Sequence, residues 1–116
     1  DQILYNLTRR GVEWALLPWC AQRNMPVMAY SPIEQGRLLK NRALQKLARE
    51  HGATPAQVAL AWALRQDGLI AIPKTGSTAH VRENRGALDL QLTADDLAAL
   101  DRAFPPPDRP HALETL

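Results

Sequence analysis

Three short strand-like runs constrain this chain most: Gln2-Ile3-Leu4-Tyr5, Pro26-Val27-Met28-Ala29-Tyr30 and Leu69-Ile70-Ala71-Ile72. The second and third are apolar on both faces, without the polar alternation of a strand open to water on one side. That pattern suits strands covered on both sides, as in parallel sheets. Ser31-Pro32 ends the second run and Pro73 the third, because proline cannot donate to a central ladder.

Helical patterns fill the intervals. Residues 11–24 read as helical, and Pro18 predicts a start or break near Leu17. A polar loop, Glu34-Gln35-Gly36-Arg37, precedes a helix over 42–50 with its apolar stripe at Leu44, Leu47 and Ala48; His51-Gly52 closes it. Thr54-Pro55-Ala56-Gln57 combines an N-cap, a first-turn proline and the glutamine of a capping box. The helix it starts is expected to reach Gln66, with Val58, Ala61 and Trp62 on one face. Ser77 or Thr78 opens another helix, to about Leu88. Thr93-Ala94-Asp95-Asp96 opens the last, with Leu97, Leu100 and Phe104 on its buried side. Pro105-Pro106-Pro107 then ends regular structure and leaves an irregular tail over 105–116.

This order implies parallel strands joined by right-handed crossovers, an α/β architecture. Three strands make a narrow sheet with two apolar edges to cover, and the chain opens directly inside a strand. The expectation is an incomplete fold whose N-terminal part is missing, with self-association through the exposed edges.

Composition excludes several classes. The 116 residues are 46% hydrophobic and 22% charged, an ordinary balance for a soluble domain. The apolar run over 58–64 is too short to span a bilayer, and no signal-peptide pattern occurs, so a cytoplasmic location is expected and no membrane partner. The formal charge of +2 comes from cations spread along the chain rather than a basic stripe, which argues against nucleic acid. Residues 54–59 after a short helix mimic a helix-turn-helix, but the second helix carries Ala, Leu and Trp where a recognition helix needs polar groups. The single Cys20 excludes an internal disulfide and reads as a helix-face residue. No ligand spacing supports a metal site. Trp14, Trp19 and Trp62 read as helix–sheet packing, His51 and His111 as surface residues, and Asp95-Asp96 as a charge pair at a helix start.

Ligands of parallel α/β folds bind at the carboxyl ends of the strands. Two ends here are polar: Tyr30-Ser31-Pro32 and Pro73-Lys74-Thr75-Gly76-Ser77. In the second, a lysine charge, two hydroxyls and a helix N-terminus together make a phosphate cradle. The same residues also make an ordinary solvated turn, and spacing leaves both readings open.

The ordered set Gln2-Ile3-Leu4-Tyr5-Asn6, Met28-Ala29-Tyr30-Ser31-Pro32, residues 54–62, Ile72-Pro73-Lys74-Thr75-Gly76-Ser77 and Val81-Arg82-Glu83-Asn84 resembles the C-terminal part of the aldo-keto reductases. The likeness runs to about Phe104, so residues 1–104 are expected to form the C-terminal part of that barrel and 105–116 its tail. The resemblance implies an incomplete (β/α)8 TIM-type barrel, with the three strands as its sixth to eighth. It also implies NADPH held without a Rossmann glycine run, and carbonyl reduction by hydride transfer. In that family's terms Gln2 would bond the nicotinamide carboxamide and Tyr30 would stack on the ring. Ser31, Ile33 and the loop to Gly36 would line the pyrophosphate. Lys74 and Thr75, in the turn with Gly76 and Ser77, would hold the ribose phosphate; Glu83 and Asn84 would contact adenine. Many members carry arginine where this chain has His80, which cannot offer a two-pronged guanidinium fork, so NADH becomes possible beside NADPH. The family's catalytic Asp, Tyr, Lys and His belong to the first half of the barrel and none can be assigned here. The isolated chain is therefore expected to be inactive, with a small carbonyl substrate bound only alongside the missing half. The competing reading is a non-catalytic binding or structural protein built from a truncated barrel.

Overall fold

The computed structural model describes residues 2–74 and 76–114, with Gln35 described by its backbone alone. Three parallel strands, β1 (Gln2–Leu4), β2 (Val27–Tyr30) and β3 (Leu69–Ile72), pair in the order β1-β2-β3. Ile3 lies opposite Ala29, which lies opposite Ala71; Leu4, Tyr30 and Ile72 form the next row. Each crossover carries helix: α1 (Leu16–Gln22) between β1 and β2, then α2 (Arg42–His51) and α3 (Pro55–Leu64) between β2 and β3. After β3 follow α4 (Thr78–Gly86) and α5 (Ala94–Ala103). Residues 105–114 carry neither helix nor strand.

The three strands and their parallel order agree with the α/β reading, whereas burial of the sheet does not. One face, bearing Ile3, Val27, Ala29 and Leu69, is buried against the helical layer. On the other face Met28 is 41% and Ile70 51% exposed, so the doubly apolar runs are covered on one side only in this chain. Even so, the chain has a single contiguous core and a radius of gyration of 13.6 Å, against about 13 Å for a compact domain of this length.

Local signals placed the helices well. In α2 the Asn41 side chain accepts from the Leu44 N–H, the Leu44, Leu47 and Ala48 stripe is buried, and Gly52 closes the helix in the left-handed region at φ 62°. Thr54 and Gln57 form the capping box of α3, and Thr93 and Asp96 that of α5. Seven of the ten residues of α3 are buried, because it packs against α2, β3 and α4 at once. It stops at Leu64, short of the expected Gln66, where Arg65 turns its guanidinium over Trp62. The 11–24 segment divides into a 3-10 turn (Gly11–Glu13) and α1, with Pro18 tolerated in the first turn, where an N–H has no helical partner. The polar loop at 34 continues as a 3-10 helix, Glu34–Lys40, and α4 passes into another, Ala87–Asp89.

Several side chains depart from expectation. Trp62 is buried, but Trp14 and Trp19 are 46% and 45% exposed, and Trp19 is covered instead by the Arg23 guanidinium at 4.1 Å. His51 is no free surface residue: its Nε2 lies 2.7 Å from Asp96 Oδ2 and joins α2 to α5. Cys20 is a buried free thiol on α1, as read. Asp96 supports its own helix start and this bridge together. Burial works against its charge, but the Thr93 and His51 bonds outweigh that and hold its carboxyl below the ordinary 3.8.

A buried cluster organises the sheet–helix contact. Tyr5 meets Trp62 at 5.2 Å between ring centroids, and Arg10 lies 5.0 Å over the indole from another side. Arg10, itself 6% exposed, donates to Glu13 at 2.7 and 2.9 Å, to Asp101 at 2.7 Å and to the Phe104 carbonyl at 2.6 Å. One guanidinium thus ties the chain after β1 to α5. Trp62→Ala is expected to cost about 3–5 kcal/mol, enough to unfold much of the population. Urea unfolding followed by circular dichroism measures it, and a loss below about 1 kcal/mol would contradict the role given to this cluster.

Candidate cofactor site

Because all three strands run the same way, their carboxyl ends leave the sheet along one edge. Tyr30 and Ile72 are register partners there, so the segments beginning at Ser31 and Pro73 start side by side. This juxtaposition unites two segments whose first residues, Ser31 and Pro73, lie 42 positions apart.

The first group is a strained loop. Tyr30 ends β2 half-buried, Ser31 follows at φ 50°, Pro32 is buried, Glu34 stands at φ 49° and Gly36 at φ 88°. Glycine takes that last conformation freely, whereas a serine or glutamate in the left-handed region costs roughly 1–3 kcal/mol each. Side chains from outside the loop hold these residues in place. Asn6, fully buried after β1, donates its amide to the Ser31 carbonyl at 2.8 Å and to Glu34 Oε2 at 2.6 Å. Its own carbonyl oxygen accepts from the Thr8 N–H and hydroxyl at 2.9 and 2.8 Å, which fixes the amide's orientation. Arg9 donates to Glu34 Oε1 through Nε at 3.1 Å and Nη2 at 3.0 Å, and Arg37 reaches the same oxygen at 3.2 Å. Within the loop, the Glu34 N–H returns to the Ser31 carbonyl at 3.0 Å and the Gly36 N–H to that of Ile33 at 2.8 Å. Ile33 is partly buried and packs against the core.

The second group surrounds the start of α4. Lys74 and Gly76 are exposed, and Ser77 is the N-cap, its hydroxyl accepting from the His80 N–H at 3.4 Å. Thr75 lies outside the described residues. His80 is exposed, and Glu83 and Asn84 are half-buried along the same helix. Gln57 docks that helix. Its side-chain oxygen accepts from the Thr54 N–H at 3.0 Å to complete the capping box, while its amide donates to the Glu83 carbonyl at 2.8 Å. Gly86 leaves room for this, since a Cβ there would come within 2.7 Å of the Gln57 amide nitrogen. Gln2 stands apart at the outer strand, exposed and paired in register with Met28.

The structure thus brings Tyr30, Ser31, Ile33 and Gly36 into one loop, places Lys74, Gly76, Ser77, His80, Glu83 and Asn84 on the neighbouring turn and helix, and leaves Gln2 on the outer strand. Sequence reasoning missed Asn6, Arg9, Glu34 and Gln57 as the side chains that shape this edge. Local sequence offered only the Arg37 partner three residues after Glu34; the Asn6 and Arg9 partners lie 28 and 25 positions away and leave no local pattern. Among the described residues no group of three or more His, Cys, Asp or Glu could hold a metal ion, and no helix is long and apolar enough to cross a membrane.

Burial alone would raise the Glu34 carboxyl, yet the Arg9 and Asn6 hydrogen bonds and the charges of Arg9 and Arg37 outweigh it and leave the group below its ordinary 4.5. A lowered folded value means that the ionised group stabilises fully above the unfolded value and loses that contribution as pH falls through the folded one. The stability difference between the parent chain and Glu34→Gln is therefore expected to be largest near neutral pH and to shrink as the pH falls below the ordinary 4.5 and through the lowered folded value. Urea unfolding at a series of pH values checks this; a difference that grows on acidification would contradict it.

Comparison with known proteins bears on the fold and the family. The family model described as "Aldo/keto reductase family" matches residues 1–104. Methylglyoxal reductase YeaE of Escherichia coli K12 is 47% identical over 119 aligned positions, covering 98% of this chain and 42% of that protein. Methylglyoxal reductase DkgB of Escherichia coli O157:H7 is 36% identical over 89 positions, covering 74% of this chain and 33% of that protein. A crystal structure of an aldo/keto reductase from Klebsiella pneumoniae in complex with NADP and acetate superposes with a TM-score of 0.96 at 46% identity, over 99% of this chain and 42% of that one. The chain therefore spans about two fifths of the length of these relatives, which accounts for a three-stranded portion of a barrel sheet. On the match over residues 1–104 and on these likenesses, the chain belongs to the aldo/keto reductase family.

Proposed function

We infer that this chain is the cofactor-binding portion of a nicotinamide-dependent carbonyl reductase, and that it binds NADPH at the strand edge described above. The observation that carries the reading is the side-by-side exit of Tyr30 and Ile72, from which the strained Ser31–Gly36 segment and the segment leading to the capped start of α4 both begin. The chemistry of these groups fits a dinucleotide phosphate. Lys74 supplies an exposed charge, and the first turn of α4 supplies N–H groups and the positive end of a helix dipole. The half-buried Tyr30 offers a ring for the nicotinamide, with Ser31, Ile33 and Gly36 along the pyrophosphate and Gln2 at the carboxamide. Lys74, Thr75, Gly76 and Ser77 take the ribose phosphate; His80, Glu83 and Asn84 take the adenine end. His80 in place of arginine leaves NADH as a weaker second ligand. A bound cofactor supplies the hydride for carbonyl reduction. Residues 105–114 form the tail beyond this portion and fold back, bringing His111 against Gly11.

On this reading the chain alone does not reduce a carbonyl. Of its two tyrosines, Tyr5 is fully buried; its hydroxyl donates to Glu13 at 2.9 Å and accepts from Gln66 at 2.9 Å. Burial, the leading cause, pushes its phenol up, so it is no acid for a developing alkoxide. The exposed Met28 and Ile70 lie on the sheet face opposite the helices, the face that becomes a barrel interior when further strands close the sheet.

Titration of the 116-residue chain with NADPH and NADH, followed by nicotinamide fluorescence, tests the reading. Saturable binding is expected, with NADPH favoured. Lys74→Ala should weaken NADPH by about 10–100-fold, the loss of one charge-assisted contact, and remove the preference over NADH. Tyr30→Ala should weaken both. Absence of binding by a folded chain would leave the family relationship as ancestry and favour a structural role.

A further inference from the structure

Resting on that cofactor reading, we propose that Glu34 is the positioning residue of the cofactor loop: held by Asn6 and Arg9 from the turn after β1, it sets residues 30–36 in the shape that receives the dinucleotide pyrophosphate. The candidate contacts Tyr30, Ser31, Ile33 and Gly36 all lie within four positions of Glu34 in the chain. Glu34 itself turns away from solvent at 5% exposure, its carboxylate accepting from Asn6, Arg9 and Arg37. A carboxylate is a costly group to bury where packing alone is needed, since it requires partners on both oxygens. Here both oxygens are served: Oε2 takes Asn6, and Oε1 takes Arg9 and Arg37.

The backbone explains why the loop needs an external hold. Ser31 and Glu34 are both in the left-handed region, and they are the two ends of one hydrogen bond, from the Glu34 N–H to the Ser31 carbonyl. Strain of this kind persists only where surrounding structure over-determines it. Asn6 does so at two points, the Ser31 carbonyl and the Glu34 carboxylate, and its amide cannot turn over without losing the two Thr8 bonds. Arg9 adds a second grip through two nitrogens on one oxygen.

Charge and position make opposite predictions for the isosteric variant. Glu34→Gln removes a negative charge beside Arg9 and Arg37, so a purely electrostatic role would tighten the binding of an anionic cofactor. Loss of positioning weakens it. The 2′-AMP half of the cofactor is a control, because its proposed contacts lie at Lys74 and along α4, outside this loop.

The test is a titration of the 116-residue chain and its variants with NADPH by fluorescence and with 2′-AMP by calorimetry, with circular dichroism melts alongside. Glu34→Gln is expected to weaken NADPH roughly tenfold, as for loss of one charge-assisted contact, while 2′-AMP stays within about twofold. Arg9→Lys keeps the charge but not the fork, and should weaken NADPH in the same sense by a smaller factor with 2′-AMP unchanged. Unchanged or tighter NADPH binding in Glu34→Gln overturns the proposal, as does equal weakening of both ligands, which marks a global role. Should Glu34→Gln fail to fold, Arg9→Lys decides by the same criteria. A parent chain that binds 2′-AMP and NADPH alike, with no gain from the nicotinamide half, overturns the proposal but not the adenosine end of the site. A parent that binds neither overturns the cofactor reading as well.

Discussion

Parallel pairing of β1, β2 and β3 obliges the chain to recross the sheet before each new strand can form, and that obligation organises the rest of the molecule. The return segments must cover a sheet face to bury their own apolar stripes, so α1, α2 and α3 lie on one side of the sheet. The strand exits all fall at one edge. A single geometric demand therefore yields a buried helical layer, an open opposite face carrying Met28 and Ile70, and a polar rim where three connections begin. The rim brings the segments after β2 and β3 side by side, and it is there that most of the proposed cofactor residues lie.

Two polar clusters do different work. Around Trp62, the Arg10 guanidinium joins Glu13, Asp101 and the Phe104 carbonyl, linking the first connection to the last helix. That cluster fastens elements whose own hydrogen bonds are already satisfied. Around Glu34, Asn6 and Arg9 hold backbone that would not keep its conformation unaided. Gln57 belongs to both kinds, completing the N-cap of α3 and donating to the Glu83 carbonyl of α4 with the same side chain. Side chains reaching across connections thus hold the rim at Ser31, Glu34 and Glu83.

Much of the architecture was legible beforehand. The capping residues Thr54, Ser77 and Thr93 act within three positions of themselves, so their role is written in local sequence and holds in any fold that admits the helix. The alternation of strands and helices likewise required parallel order. Less legible were the tryptophans: Trp14, Trp19 and Trp62 are the same residue type in helical surroundings, yet only Trp62 is buried. Its helix packs against α2, β3 and α4, whereas Trp19 on α1 and Trp14 in the turn before it stay outside. Local pattern carries no information about how many neighbours a helix will have. The sheet's open face escaped for the same reason, because an apolar run states what a strand can tolerate and not what covers it.

By itself, then, the sequence determined an α/β order, its helix boundaries to within a few residues, and the family to which the chain belongs, since these rest on spacings of three or four residues and on ordered short motifs. Tertiary structure alone decided which polar groups meet. The Asn6–Glu34 bond joins residues 28 apart and the Arg10–Asp101 bond residues 91 apart. No periodicity encodes such a pairing. It exists because strand pairing and helix packing first bring two backbones close, after which a buried charge must find a partner or be excluded.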